Sequence, residues 1–323
     1  MPERLLAAVV AVPFVLGLSS APADSGSEVF SFQDPAIVES SGLVVADGLF
    51  VTTNDSGDTG QVFVVDGQGR TVGLTRWSER PVDVESLAPA GRGRVWVGDI
   101  GDNAAARVSV SITRVPVGRG GRDEPGTTYD LVYPDGATDA ETLMTDPTTG
   151  RVYVASKTFF GGTLYQAPSR LSEQRPNRLR PIGDVLPIAT DGAFFPDGRH
   201  LVVRSYTSAE FYSFPDLTRI ATVDLPAQQQ GEGLAVDDRG RVFLSSEGQY
   251  SPVLELPLDR ALRAELAGAP DPPKPTSSPD LSPDASDAPE VSPDLDSTPW
   301  PWLIGGAAWL VVVAVLLRSL RPR

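Results

Sequence analysis

The sequence predicts an all-β chain folded as a single β-propeller, five blades of four strands each. Three observations point there. Five similar segments recur at steps of 44, 56, 50 and 41 residues. Each continues from a small or acidic opener into β-rich runs separated by turns. A strand before the first repeat has no partner there and the last repeat lacks its fourth strand, which is how a propeller closes its ring.

The openers are Ser41-Gly42-Leu43, Glu85-Ser86-Leu87, Glu141-Thr142-Leu143, Asp191-Gly192-Ala193 and Glu232-Gly233-Leu234. Second strands follow at 49–53, 94–98, 151–155, 200–204 and 241–245, after turns such as Ala46-Asp47-Gly48 and Pro196-Asp197-Gly198. Third strands read at 61–65, 108–115, 163–166, 209–214 and 252–257, and fourth strands at 71–77, 128–132, 179–185 and 218–225. The fifth repeat lacks a fourth strand, and the segment 28–32 precedes the first repeat unpaired. Joining the two removes the last open edge. Within the propeller region only 258–267 reads as a helix. The 56- and 50-residue repeats are long enough to leave a sixth blade open.

The two ends predict an address. Arg4, an apolar stretch over 5–18 and Ala21-Pro22-Ala23 read as a signal peptide, residues 1–23. The apolar run 302–317 is followed by Arg318, Arg321 and Arg323. That pattern predicts a transmembrane helix over 300–318 and a cytoplasmic basic tail at 319–323. Residues 266–299 repeat Ser-Pro-Asp and read as a disordered linker. The expectation is a single-pass protein of a bacterial cell membrane, its propeller (24–265) outside the cell.

Composition excludes several chemistries. A formal charge of −15 over 323 residues argues against nucleic acid as a partner and suits cations. With no cysteine, disulfides, thiolate metal sites and cysteine nucleophiles are absent. The single histidine, His200, lies in a turn, where it reads as an ordinary turn or strand-edge residue rather than part of a triad or zinc site.

Equivalent positions on the innermost strands of a propeller form rings about its axis. The opener ring reads Ser41, Glu85, Glu141, Asp191 and Glu232; two residues earlier stand Glu39, Asp83, Asp139, Ala189 and Gln230. Residues two apart on an extended chain share a face, so Asp83 should join Glu85, and Asp139 should join Glu141. The second strands end in Asn54-Asp55-Ser56-Gly57-Asp58 and Gly98-Asp99-Ile100-Gly101-Asp102-Asn103, rich in oxygen ligands. Each alone also reads as an Asx-type turn. Calcium takes about six to eight such oxygens. The candidate calcium ligands at one mouth are therefore Asp55, Asp83, Glu85, Asp99, Asp102, Glu141, Asp191 and Glu232. Lys157, Arg204, Tyr206 and Glu247 end up beside the ring as candidate ligand contacts. The two cations either hold an anionic ligand or neutralise nearby acids.

The motifs Asp83-Val84-Glu85-Ser86-Leu87, Gly98-Asp99-Ile100-Gly101-Asp102-Asn103 and Glu232-Gly233-Leu234-Ala235 resemble secreted bacterial propellers of the phytase-like and related repeat families, over about residues 28–260. The resemblance implies calcium held by Asp55, Asp99, Asp102, Glu141 and Glu232, phosphate held by Lys157 and Arg204, and ester cleavage without a catalytic histidine. The chain departs from that pattern in its five blades and its few basic residues. Two functions stay open: an extracellular binding or scaffold module stabilised by calcium, with an unidentified ligand or protein partner, and a calcium-dependent phosphoesterase or lactonase-like hydrolase. The first is preferred, because no nucleophile–base pair is visible. A quinone-dependent sugar dehydrogenase fits poorly, given one histidine in a turn.

Overall fold

A computed structural model describes residues 26–55, 59–78 and 80–267. The expected signal peptide, membrane span and basic tail lie outside the described residues, as does the linker beyond Ala267. Among the described residues no helix is long and apolar enough to cross a membrane.

The chain begins with β1 (Ser27–Ser31) and builds blade 1 from β2 (Ser40–Ala46), β3 (Leu49–Asn54), β4 (Gln61–Val65) and β5 (Thr71–Arg76). Blade 2 starts with β6 (Val84–Pro89), β7 (Arg94–Asp99) and β8 (Val110–Pro116). After β9 (Gly120–Asp123) the chain returns to finish that blade with β10 (Thr127–Val132). Blade 3 holds β11 (Ala140–Thr145), β12 (Val152–Ser156) and β13 (Gly162–Gln166); past the two-residue β14 (Asn177–Arg178) it ends in β15 (Arg180–Val185). Blade 4 is β16 (Asp191–Phe194), β17 (His200–Arg204), β18 (Ser208–Ser213) and β19 (Arg219–Asp224). Blade 5 is β20 (Leu234–Val236), β21 (Val242–Leu244) and β22 (Pro252–Leu256), completed by β1 pairing antiparallel to β22. The ring closes by adding the strand that the sequence left unpaired to the blade it left one strand short.

The long repeats hold no sixth blade. Their extra residues turn back on the preceding blade, where β9 runs parallel to β5 and β14 parallel to β10. Each therefore extends an outer edge that would otherwise stay open.

The core lies between blades, one apolar cluster for each of the five interfaces. This explains why β7 and β12 are buried along nearly their whole length on both faces. Near the axis the inner strands approach so closely that the second opener residue must be small. A Cβ on Gly42 would lie 2.4 Å from the Leu87 amide nitrogen, and one on Gly233 would lie 2.1 Å from Ser245 Oγ. After β22 the helix α1 (Arg260–Leu266) is capped by Asp259, whose carboxylate accepts the Leu262 amide at 2.8 Å. Leu262 and Leu266 then pack against blades 4 and 5. His200 opens β17 with Nδ1 2.7 Å from Asp197 Oδ2, an ordinary turn contact.

Candidate functional site

The inner strands β2, β6, β11, β16 and β20 all begin at one mouth, and the second strands, antiparallel to them, all end there. The loops between are tied down alike. Asn54, last residue of β3, accepts the Val38 and Glu39 amides at 3.1 and 3.3 Å. Asp99, last residue of β7, accepts the Val82 and Asp83 amides at 3.0 and 2.9 Å. Just past the strand ends, the Asp55 amide donates to the Glu39 carbonyl, the Lys157 amide to that of Asp139 and the Glu247 amide to that of Gln230. These clamps carry acids far apart in sequence onto one rim.

A second device aims the opener side chains. In blades 1, 2 and 3 the register slips between Ser40 and Gly42, Val84 and Ser86, and Ala140 and Thr142. Ser41, Glu85 and Glu141 are thus the extra residues of β-bulges, which redirect a side chain and often flank functional sites. Asp191 sits in regular register opposite Arg204 and is not redirected in this way.

Asp55, Asp83 and Glu85 converge, with carboxylate oxygens within 4.8 Å of one another. Gly101 makes the room. A Cβ there would lie 2.3 Å from Asp83 Oδ2 and 2.8 Å from Glu85 Oε1. Beside this trio, Glu141 pairs with Lys157, whose ammonium donates to Tyr206 Oη at 3.0 Å and lies 5.3 Å from that ring's centre. Glu141 Oε2 and Glu232 Oε2 are buried without a hydrogen-bond partner.

Crowding raises the proton affinity of these acids. Burial, then Glu141, Asp55, Asp83 and Glu232, pushes Glu85 up to about 10. Burial, then Glu141 and Glu247, takes Glu232 to about 9. Glu141 reaches only about 7, because Lys157 opposes the effect of burial. Asp83 and Glu247 also move up, burial first. Such a mouth holds protons, or a cation in their place.

Three candidate ligands are committed elsewhere. Asp102 spends its carboxylate on the Ala106 and Arg107 amides, 2.9 and 2.8 Å away, an Asx-type cap. Asp99 is a clamp, ion-paired to Arg107 at 2.9 Å. Asp191 is fully buried and ties blades together on the axis, accepting Ser86 Oγ at 2.9 Å and the Leu234 amide at 2.7 Å. Arg204 is likewise committed to internal partners. It is fully buried and donates to the carbonyls of Ser205, Gly233 and Ser245 and to Gln228 Oε1, at 3.0 to 3.3 Å. Asp139 Oδ1 accepts the Asp102 amide at 2.8 Å, and its charge still bears on Glu141. Lys157, Tyr206 and Glu247 do stand at the mouth. Sequence reasoning missed Asn54 and Gly101, though Asn54 occupies the position equivalent to Asp99, and Gly101 is a glycine among acids.

The strand pairing and the site fix one point. The chain is a five-bladed β-propeller. No protein-family model matches it, and no curated protein sequence matches it. It is similar to a solved structure from Xanthomonas campestris, described as a gluconolactonase important in glucose secondary metabolic pathways. Identity is 13% over 73% of this chain and 97% of that one, with a TM-score of 0.43. A likeness at this level assigns neither ligand nor activity. The narrower phytase-like resemblance finds no support in these matches.

Gly101→Ala separates the trio from the fold. The nearest atoms the added methyl meets belong to the carboxylate groups of two side chains, Asp83 and Glu85, so the propeller should keep its melting temperature to within about 3 °C, the scale of a 1 kcal/mol change. The Asp55–Asp83–Glu85 arrangement should be lost, and with it any calcium response, by about tenfold or more. Calorimetric titration of calcium checks this.

Proposed function

We propose that the protein is a cell-surface propeller that binds a divalent cation of the calcium class at its acidic mouth and there engages an extracellular ligand. The observation that carries the reading is the convergence of Asp55, Asp83 and Glu85 over Gly101. Three hard oxygen donors from two chain segments suit calcium, which leaves further positions for water or ligand. Asp55, Asp83 and Glu85 would hold the ion, and its charge would offset their mutual repulsion. Export and anchoring are part of the proposal, supported by the apolar segments at 5–18 and 302–317 and the arginines after the second.

One observation favours a second reading, a metal-dependent hydrolase of phosphate esters or lactones. Glu141 and Glu232, with proton affinities raised to about 7 and about 9, stand beside the trio as groups able to move a proton near neutral pH. A bound cation would supply polarisation of the substrate oxygen. Lys157, hydrogen-bonded to Tyr206, would orient an anionic substrate. A panel of phosphomonoesters and lactones, assayed with calcium, separates the two. Turnover lost in Glu141→Gln and Glu232→Gln establishes the hydrolase. Calcium binding without turnover leaves the binding module.

A further inference from the structure

Exposed large apolar side chains are not spread evenly over this propeller. Among the described residues there are seven, and Val38, Val82, Val108, Phe159, Phe160 and Tyr250 all lie in loops at the acidic mouth. The exception, Val29, is on the edge strand β1. The described turns at the opposite mouth contribute none. Single exposed apolar residues are normal, but a set confined to one face marks an interaction surface.

The set is held out rather than left loose. Phe159 and Phe160 form the tip between β12 and β13, at 83% and 105% exposure. That turn is closed by Thr158 Oγ1 on the Gly161 carbonyl and tied to the next loop by the Ile188 amide on the Thr158 carbonyl at 3.0 Å. Tyr250 adopts a left-handed backbone at φ 63°, strained for a bulky side chain. Its loop is fastened by the Gly248 amide on Val38 O and Gln249 Nε2 on Pro35 O, both 2.8 Å.

Inside this rim stands an acid pair the cation reading does not use. Glu232 is 5% exposed, with Oε2 unpartnered, and Glu247 is close enough to raise its proton affinity. Neither belongs to any ion pair among the described residues. The rim is apolar and what it surrounds is a set of carboxyl groups whose held protons an entering cation would displace.

We infer that this face docks a protein segment presenting a lysine or arginine flanked by apolar residues. The flanks pack on Phe159, Phe160 and Tyr250, and the cationic group enters between Glu232 and Glu247, where charge-assisted hydrogen bonds satisfy the unpartnered oxygen. A bilayer is the less suitable occupant, because the acidic mouth repels anionic lipid. The inference names the partner class for the same mouth but uses carboxylates other than the cation trio, so either can fail alone.

The test uses the purified full-length protein and labelled nine-residue peptides. One has a central lysine flanked by leucine and valine; two controls carry central glutamine or serine flanks. Fluorescence anisotropy should show the lysine peptide bound about tenfold tighter than both controls, with and without calcium, a difference of about 1.4 kcal/mol. The double variant Phe159→Ser/Phe160→Ser and, separately, Glu232→Gln should each weaken that peptide about tenfold. Equal affinities for the three peptides, or an unaffected double variant, overturns the inference. So does binding to phosphatidylcholine–phosphatidylglycerol vesicles that the double variant loses while the peptides show no preference.

Discussion

Chelating divalent cations lowers the melting temperature of the protein at pH 8, and added calcium restores it. At a calcium concentration about a hundredfold above its Kd, binding contributes about 2.7 kcal/mol, or roughly 5–10 °C for a domain of this size. Under chelator the melting temperature also falls as pH rises. Glu85, Glu141 and Glu232 have folded-state values near 10, 7 and 9 against ordinary values of 4.5, so the folded protein binds more protons than the unfolded chain across that window. Their stabilising contribution is complete below 4.5. It is lost as pH rises toward those folded-state values, at up to about 1.4 kcal/mol per pH unit for each proton involved. Calcium acts in the opposite direction, because it binds the deprotonated carboxylates and so stabilises more as pH rises. Glu85→Gln removes a ligand and a buried like charge together. That variant melts at the same temperature with and without EDTA, while the wild type does not. Differential scanning calorimetry across pH 5 to 9 reads all of these outcomes.

Arg204→Met destabilises the fold by about 3–5 kcal/mol, the range for breaking a buried charge network by removing one partner. Methionine approximates the aliphatic stem. It leaves the carbonyls of Ser205, Gly233 and Ser245 without this donor and removes the positive charge facing Asp191 and Glu232. Arg204→Lys rescues little, because a single ammonium cannot span carbonyls from β17 to the two sides of β20 and β21. Lys157→Met, by contrast, removes a partly exposed cation from a carboxyl whose proton affinity already lies near 7, so Glu141 takes up a proton instead of standing as an unpaired charge, and the cost is smaller. Urea unfolding of the three variants checks the order. A loss below about 1 kcal/mol for Arg204→Met, the typical size of one ordinary hydrogen bond, would contradict a structural role for this guanidinium.

These two cations show where the sequence is legible and where it is not. Both stand at the ends of second strands and invite the same role. What separates them is register. Glu141 is bulged toward the mouth with Lys157 following it, whereas Asp191 pairs regularly with Arg204 and both are swallowed by the axis. A bulge leaves no mark in the alternation of apolar residues, so a period of two could not reveal it. Ring closure was legible because an orphan strand at one end and a blade one strand short at the other admit one economical pairing. The edge strand β9, over Gly120–Asp123, carries no apolar pattern and joins a neighbouring blade, so only its tertiary partner defines it. Asp99 and Asp102 looked like ligands because the residues that cap turns are the residues that bind calcium.

The most direct measurement is the anomalous difference map of a crystal grown with a lanthanide in place of calcium. A peak about 2.3–2.6 Å from carboxylate oxygens of Asp55, Asp83 and Glu85, absent in Gly101→Ala, is the predicted result. A well-ordered mouth with no peak at those three side chains, in a crystal whose lanthanide sits elsewhere, would contradict the account.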